Sequence, residues 1–213
     1  MPLFKYDDSY RKKGYRVIAG IDEAGRGSLA GPVVAGAVIL KEGHIIEGLD
    51  DSKRLTHQKR MELFWQLMLE AEDVSFGIVD VEDIERFNIL QATKMAMLRA
   101  IDGLKKRPDL ILIDALRLPI SLKHISIIKG DQKSASIAAA SIIAKVLRDW
   151  IMEYYDFLYP EYGFKDHRGY GTVRHRECLR IYGPCPIHRR TFKPVSQREF
   201  FFISKRMFSI EES

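Results

Sequence analysis

The chain of 213 residues has few of the features that place a protein outside the cell or in a membrane. It contains 2 cysteines, Cys178 and Cys185, too few for a disulfide framework, and nothing implies an oxidising compartment. No apolar run approaches the roughly 20 residues of a membrane-spanning helix. The mixed-charge N-terminus lacks the apolar core of a secretory signal. We therefore expect a cytoplasmic protein that does not enter the membrane.

Charge is unevenly distributed along the chain. The formal net charge is +5, and the stretch 160–193 alone carries eight Lys and Arg against three Asp and Glu. The remaining sequence is therefore balanced. A basic surface confined to one end is typical of a protein with a phosphate-bearing partner, although an ordinary solvated face gives the same pattern.

Hydrophobic residues make up 46% of the chain, enough for the core of one domain with a small appendage. Periodicity predicts strands over 16–22, 33–40, 44–47, 74–81, 110–114 and 125–129. It predicts helices over 56–72, 88–106, 134–157 and 172–182, and a last helix after Ser196. Successive strands followed by alternating helices and strands indicate an α/β fold, with a mixed sheet and helices on both faces.

Two predicted strands end on carboxylates. In VIAGIDEAGRGSLAGP (17–32), Asp22 and Glu23 stand where an apolar strand gives way to glycines, and LILID (110–114) ends on Asp114. If these strands are parallel neighbours, their carboxyl ends lie at one edge of the sheet, where α/β proteins build their sites. Carboxylates that close need a cation, and oxygen ligands favour Mg²⁺ or Mn²⁺. The alternatives are a solvated turn or helix cap at Asp22 and Glu23, and a simple turn at Asp114.

A dinucleotide-binding loop is a second interpretation of the same segment. Gly25, Gly27 and Ala30 satisfy the pattern G-x-G-x-x-A after a strand. Asp22 and Glu23, however, would repel a pyrophosphate. The strand-like sequence after Gly31 leaves no helix N-terminus to receive one. No Lys-Ser or Lys-Thr pair follows a glycine here, so a phosphate loop of the Walker type is also excluded.

Six blocks, in order along the chain, resemble bacterial ribonuclease HII. They are IDEAGRGSLAGPVVAGAV (21–38), DDSKRLT (50–56), FNILQATKMAM (87–97), ILIDAL (111–116), KGDQKSASIAAASIIAKVLRD (129–149) and HRGYGT (167–172). The resemblance covers most of the chain and ends with HRRTFKPV (188–195). It implies an α/β fold of the ribonuclease H-like type, a five-stranded mixed sheet flanked by helices. It also implies a catalytic part over 1–159 and a helical, substrate-binding C-terminal part over 160–213.

The resemblance further implies a metal-dependent endonuclease. Such an enzyme hydrolyses the RNA strand of RNA–DNA hybrids and cuts 5′ to ribonucleotides embedded in duplex DNA, leaving 5′-phosphate and 3′-hydroxyl ends. The family pattern assigns Asp22, Glu23, Asp114 and Asp149 as ligands of two Mg²⁺ or Mn²⁺ ions, with Asp22 bridging them. From the residues alone, Asp149 would be an ordinary exposed helix residue, because it lies off the apolar stripe of its predicted helix.

Substrate-binding residues are implied in the same way. The backbone of Gly25-Arg26-Gly27 is expected to contact the 2′-hydroxyl and the adjacent phosphate, because glycine leaves room for close approach. Tyr170 is expected to stack near the ribose. Ser52 and Lys53 are candidates for backbone phosphate contacts, although Lys53 is as readily explained as solvated. Lys145 is expected either to orient Asp149, to touch DNA, or to form a plain helix salt bridge.

Two rival classes share some of these features. A junction resolvase or integrase-like nuclease of the same fold would need neither Gly25-Arg26-Gly27 nor Tyr170 as a 2′-hydroxyl sensor. A noncatalytic duplex-binding protein would not need a complete acidic set.

The histidines His167, His175 and His188 do not form a zinc spacing with the two cysteines, so we interpret them as core or surface residues. Nothing in the sequence requires more than a monomer.

Overall fold

The computed structural model describes residues 2–196, which form one mixed sheet with helices on both faces. The strands are β1 (Ile18–Ala24), β2 (Val33–Ile39), β3 (Asp73–Val79), β4 (Leu110–Asp114) and β5 (His124–Ile127). The helices are α1 (Pro2–Arg11), α2 (His57–Glu70), α3 (Val81–Asp102), α4 (Ala135–Leu158), α5 (Phe164–His167) and α6 (Val173–Tyr182), with one 3₁₀ turn at Gly130–Gln132.

The strand order in the sheet is β3-β2-β1-β4-β5. The first three strands of the chain pair antiparallel, whereas β1, β4 and β5 are parallel to one another. The prediction of a mixed sheet flanked by helices is confirmed. The central strand, β1, pairs antiparallel with β2 on one side and parallel with β4 on the other. It carries Asp22 and Glu23 near its C-terminal end.

Helix α4 lies directly on the sheet because two facing positions have no side chain. A Cβ on Gly20 of β1 would stand 2.0 Å from the backbone of Ser136, and one on Gly36 of β2 would stand 2.4 Å from the carbonyl oxygen of Ala140. The small residues at the start of α4 complete this close approach, as their sequence predicts. Helix α4 is therefore fixed against the strands that carry the acidic residues.

Three helix starts follow from local sequence. The hydroxyls of Thr56, Ser134 and Thr172 accept hydrogen bonds from backbone N–H groups three residues later, at the starts of α2, α4 and α6. These are N-cap contacts, which satisfy otherwise unpaired donors of the first turn. The predicted starts of these helices are confirmed within a residue.

Other elements differ from the prediction. Residues 44–47 form no strand, because β2 pairs with β1 on one edge and with β3 along its whole length on the other. Helix α3 begins at Val81 rather than at Asn88, where the backbone breaks with φ 66°. The side chain of Asn88 accepts from the N–H groups of Leu90 and Gln91, so it caps the second half of α3. Helix α1 was not predicted, and the predicted last helix lies outside the described residues.

The segment after α4 packs around its own apolar cluster, which includes Tyr162, Phe164, Leu179 and Met152 of α4. It is joined to the loop after β1 by an isolated bridge between Ala30 and His188. Among the residues that the structure describes, no helix has the length and apolar character needed to cross a membrane.

Candidate active site

Two acidic strand ends meet at one edge of the sheet. Ile21 of β1 is in register with Ile113 of β4, so Asp22 and Asp114 follow on neighbouring parallel strands. The prediction that these strands are parallel neighbours is confirmed. Side chains alternate along a strand, and Gly20 lies against α4, so Asp22 also faces α4. The sheet register therefore brings two carboxylates under the same helix.

Burial makes this edge electrostatically unfavourable. Asp22 is buried, and burial raises its pKa well above the ordinary value, with further increases from Glu23, Asp114 and Asp131. Burial also raises the pKa of Glu23, against the opposing effect of Arg26. The Oε2 atom of Glu23 is buried and has no hydrogen-bond partner among residues 2–196. A buried, unpartnered carboxylate oxygen beside other acids is a position that a cation would satisfy.

Each of the four predicted acidic ligands has a partner within the chain. Asp22 accepts from the N–H of Glu23 at 2.7 Å, and Glu23 pairs with Arg26 at 3.2 Å. The Oδ1 atom of Asp114 accepts from the N–H of Gly130 at 2.6 Å. Among residues 2–196, no three or more His, Cys, Asp or Glu side chains are already gathered in a metal-binding geometry, so binding of an ion would require the carboxylates to leave these partners.

Asp149 lies on α4 and is only 5% exposed. The interpretation from the residues alone, an ordinary exposed helix residue, is therefore wrong. That interpretation did not take into account the loop before Tyr170, which covers this turn of α4. The Oδ1 atom of Asp149 lies 2.6 Å from Nζ of Lys145 and 3.9 Å from Nε of Arg168. Asp149 is thus held by two basic residues rather than by the acidic strand ends.

The chemistry of the donor set fits divalent cations of the Mg²⁺ or Mn²⁺ type. Asp22, Glu23 and Asp114 supply carboxylate oxygens, which hard cations prefer. The raised pKa values and the unpartnered Oε2 of Glu23 show where positive charge is missing. The residues present are therefore compatible with such an ion.

A cleft of about 190 Å³ lies beside the acidic residues. All seven residues that were predicted to bind substrate line it, together with Glu23, Ala24 and Ser141: Gly25, Arg26, Gly27, Ser52, Lys53, Lys145 and Tyr170. These seven come from four separate segments of the sequence. The structure thus assembles the predicted substrate residues and one predicted metal ligand around one cavity.

The two glycines of the cleft differ in their surroundings. Gly25 has φ +96°, and a Cβ there would stand 2.0 Å from Nε of Arg148. At Gly27 nothing lies within 4 Å of the Cβ position. Glycine at position 25 is therefore required by the protein's own backbone and packing. At position 27, which also lines the cleft, neither packing nor a positive φ requires glycine.

The other cleft residues are held in different ways. The hydroxyl of Ser52 is buried and accepts from the hydroxyl of Ser141 at 2.6 Å. Nζ of Lys53 lies 3.4 Å from Asp131. Partial burial acts to lower the pKa of Lys53, but the nearby carboxylates of Asp131, Asp22 and Asp51 raise it overall. The side chain of Lys53 is 75% exposed and Ser52 is buried, so of the two Lys53 is the more accessible from the cleft.

Residue-by-residue reasoning missed two buried arginines and a buried acidic residue near the cleft. Arg148 and Arg189 are both 0% exposed, and Asp131 is 3% exposed. Arg148 directly precedes Asp149, and Arg189 lies in HRRTFKPV, so both stood inside blocks that resembled the family. A charged residue within an apolar helix, such as Arg148, was the available signal.

The strand order, the parallel pairing of β1 with β4 and the acidic strand ends beneath α4 define a protein with the ribonuclease H fold. The Ribonuclease HII family model matches residues 19–195. The chain belongs to the ribonuclease HII family, and it is a ribonuclease H, an endoribonuclease. Ribonuclease HII of Bacillus licheniformis is 55% identical over 197 residues, covering 92% of this chain and 77% of the relative.

Solved structures agree with this assignment. The ribonuclease H2 of Pyrococcus horikoshii superposes with a TM-score of 0.73 at 31% identity, covering 87% of this chain and 98% of that one. Bst-RNase HIII, solved in complex with Mn²⁺, superposes with a TM-score of 0.67 at 20% identity over 89% of this chain and 70% of its own. At that identity the second comparison supports the fold.

Proposed function

We propose that the protein hydrolyses the RNA strand of RNA–DNA hybrids and cuts duplex DNA on the 5′ side of an embedded ribonucleotide. The products are a 3′-hydroxyl and a 5′-phosphate. The observation that carries this proposal is the single cleft that joins Glu23, Gly25-Arg26-Gly27 and Tyr170. A nuclease of this family that selects ribonucleotides needs carboxylates and a detector of the 2′-hydroxyl in one place.

Asp22, Glu23, Asp114 and Asp149 are the proposed holders of Mg²⁺ or Mn²⁺. Divalent cations bound there would neutralise charge on the scissile phosphate and lower the pKa of a water nucleophile. The burial of Asp22 and the unpartnered Oε2 of Glu23 support this assignment. For Asp149 the support is its burial beside the cleft residue Lys145, and the ion pair between them must open if Asp149 is to bind a cation.

Recognition of the ribonucleotide is assigned to the backbone of Gly25-Arg26-Gly27 and to Tyr170. The open space at Gly27 leaves the backbone accessible to the 2′-hydroxyl and its phosphate. Tyr170 is 40% exposed, so its ring is available to stack on the sugar and base. Ser52, Lys53 and Lys145 are proposed to contact the backbone phosphates, and the basic C-terminal part to hold the duplex.

The decisive experiment uses one end-labelled DNA duplex that contains a single ribonucleotide, and a control duplex of the same sequence without it. We expect a single cut 5′ to the ribonucleotide in Mg²⁺, no cut in EDTA, and no cut of the control. Cutting of the all-DNA control would favour a resolvase-like nuclease of the same fold. Binding of the duplex without cleavage in Mg²⁺ or Mn²⁺ would favour a noncatalytic protein.

A further inference from the structure

Arg148 is a fully buried guanidinium beside the cleft, in the turn of α4 that also carries Asp149. Its three nitrogens donate to three backbone carbonyls: Nε to Pro32 at 3.0 Å, Nη1 to Arg168 at 2.9 Å and Nη2 to Ala30 at 3.1 Å. No carboxylate within residues 2–196 forms an ion pair with it, since Asp149 pairs with Lys145 and Arg168 instead. Arginine stays protonated at neutral pH, so these carbonyls supply the hydrogen bonds that compensate its buried charge.

These carbonyls belong to two separate segments of the substrate site. Ala30 and Pro32 follow the Gly25-Arg26-Gly27 loop, whereas Arg168 precedes Tyr170 by two residues. The side chain of Arg148 therefore links the loop that is proposed to contact the 2′-hydroxyl with the loop that carries the stacking tyrosine.

The same guanidinium also contacts the two proposed recognition elements themselves. Its central carbon lies 5.6 Å from the centre of the Tyr170 ring, in a cation–π arrangement. A Cβ on Gly25 would meet Nε of Arg148 at 2.0 Å, so the backbone of Gly25 lies against the guanidinium. One buried side chain thus touches both parts of the proposed ribose detector.

We propose that Arg148 is a positioning residue for ribonucleotide selection. It holds the backbone at Gly25 and the ring of Tyr170 in the mutual geometry that fits a ribose with a 2′-hydroxyl. This inference rests on the proposed function. Lysine cannot replace the arginine, because a single ammonium lacks the planar fork that reaches three carbonyls and stacks on a ring.

Arg189 provides a matched control in the same region. It is equally buried, and it donates to the carbonyls of Gly31 at 3.0 Å, Arg26 at 3.0 Å and Pro32 at 3.2 Å. Its guanidinium lies over Phe192, at 5.1 Å, rather than over Tyr170. Replacing Arg189 therefore removes a buried arginine and its carbonyl contacts but leaves the contact between Arg148 and Tyr170 in place.

The test is a pair of double-mutant cycles on selectivity. Selectivity is the ratio of the dissociation constants for the all-DNA duplex and the duplex with one ribonucleotide, measured by fluorescence anisotropy in Ca²⁺ well below each variant's Tm. We expect Arg148→Lys to lower this ratio by about tenfold, close to the effect of Tyr170→Ala, with affinity for the all-DNA duplex unchanged. In the variant that carries both substitutions, the ratio should fall no further than in either single variant, because both substitutions remove the same contact between Arg148 and Tyr170.

In the control cycle, the effects of Arg189→Lys and Tyr170→Ala on the ratio should multiply. A wild-type ratio in Arg148→Lys, or effects of Arg148→Lys and Tyr170→Ala that multiply, would overturn the inference. If Arg148→Lys does not fold, Tyr170→Phe and Tyr170→Leu probe the other side of the contact. Phenylalanine keeps a ring over the guanidinium and should retain more selectivity, so equal losses would also overturn it.

Binding and cleavage measurements on the wild-type protein distinguish failure of this inference from failure of the proposed function. If the wild-type protein neither prefers nor cuts the ribonucleotide duplex, the proposed function fails, and the inference fails with it. If the wild-type protein selects and cuts that duplex while Arg148→Lys behaves like Arg189→Lys in both cycles, only the role of Arg148 is rejected.

Discussion

At the ends of β1 and β4 the buried charges are carboxylates, whereas beneath Gly25 and Tyr170 they are guanidiniums. The acidic region is incomplete: burial raises the pKa values of Asp22 and Glu23, and Oε2 of Glu23 has no partner among the described residues. The basic region is complete in its hydrogen bonds, because every guanidinium nitrogen of Arg148 and Arg189 donates to a backbone carbonyl. Burial nevertheless lowers the pKa of Arg148 and lowers that of Arg189 to about 9.

The difference indicates two kinds of function. A region whose buried polar atoms are all hydrogen-bonded within the chain has one geometry, which suits recognition of a fixed chemical group. A region with uncompensated charge gains stability only when a cation arrives, which suits metal binding. The cleft lies where the two regions meet, so a substrate there contacts a rigid detector on one side and the carboxylates on the other.

The largest effect is expected at the acidic region. We expect Asp22→Asn to lower the cleavage rate in Mg²⁺ by more than the ~100-fold that is typical of losing an outer-shell partner of a metal site. Initial rates on the ribonucleotide duplex over a range of Mg²⁺ concentrations measure this change. Near wild-type cleavage would show that Asp22 is not a metal ligand.

The same substitution should stabilise the protein in EDTA. The folded-state pKa of Asp22 is raised above its ordinary value, so ionisation at neutral pH costs folding free energy that asparagine does not. A gain of about 1 kcal/mol corresponds to roughly 2–4 °C in Tm for a domain of this size. Asp149→Asn is the control: it loses the ion pair with Lys145, so its Tm should not rise. An unchanged or lower Tm for Asp22→Asn would contradict the charge imbalance.

At the basic region, Tyr170→Ala should reduce cleavage of the ribonucleotide duplex by roughly 10- to 100-fold, the range expected for loss of one stacking contact. The Mg²⁺ concentration at half-maximal rate should not change, because Tyr170 does not belong to the acidic region. A shift in Mg²⁺ dependence, with the maximal rate retained, would remove Tyr170 from substrate recognition.

The two glycines of the cleft separate folding from recognition. Gly25→Ala should destabilise the protein by on the order of 2 kcal/mol, because it combines a positive φ with a clash against Arg148. Gly27→Ala should leave the unfolding free energy within about 0.5 kcal/mol of wild type, as expected for an open position. Chemical denaturation measures both. Reduced cleavage by a fully stable Gly27→Ala variant would support close approach of the substrate, whereas full activity would argue against it.

The smallest effect concerns pH. Burial lowers the pKa of His175 to about 4, and burial together with His175 lowers that of His188 to about 3. Their rings share a hydrogen bond of 2.9 Å. Because the unfolded chain protonates histidine near pH 6.5 and the folded protein does not, stability should fall as the pH drops from about 6.5 towards 4.

For the two histidines together this loss should be on the order of 2 kcal/mol by pH 6, and it should be smaller in His188→Gln, which removes one of the two groups. The comparison of wild type and variant at pH 7.5, 6 and 5 cancels the opposite contribution of the buried carboxylates. If the free energy of unfolding of the two proteins changes with pH by the same amount, the pKa of His188 is not lowered by folding and the prediction fails.

The sequence alone determined what local chemistry controls. The caps at Thr56, Ser134 and Thr172 and the apolar strand 110–114 depend on contacts within a few residues, so their patterns predicted them correctly. The ordered family blocks also contain Glu23 and the seven predicted substrate-binding residues that the structure gathers around one cleft, because a family pattern carries the result of tertiary packing. The strand expected over 44–47 failed for the opposite reason, since β3 occupies that edge of β2 from farther along the chain.

Only the tertiary structure decided which charges are buried and what compensates them. Arg148 stands in a largely apolar helix, but its local sequence does not show which segments cover it. The loop that carries Tyr170 provides Arg168 as a basic neighbour of Asp149 and one of the three carbonyls that Arg148 contacts, and the segment after β1 provides the other two. Burial and pKa depend on segments that are far apart in the chain, such as Ala30 and Arg148, which are 118 residues apart, and no periodicity within a helix can encode such contacts.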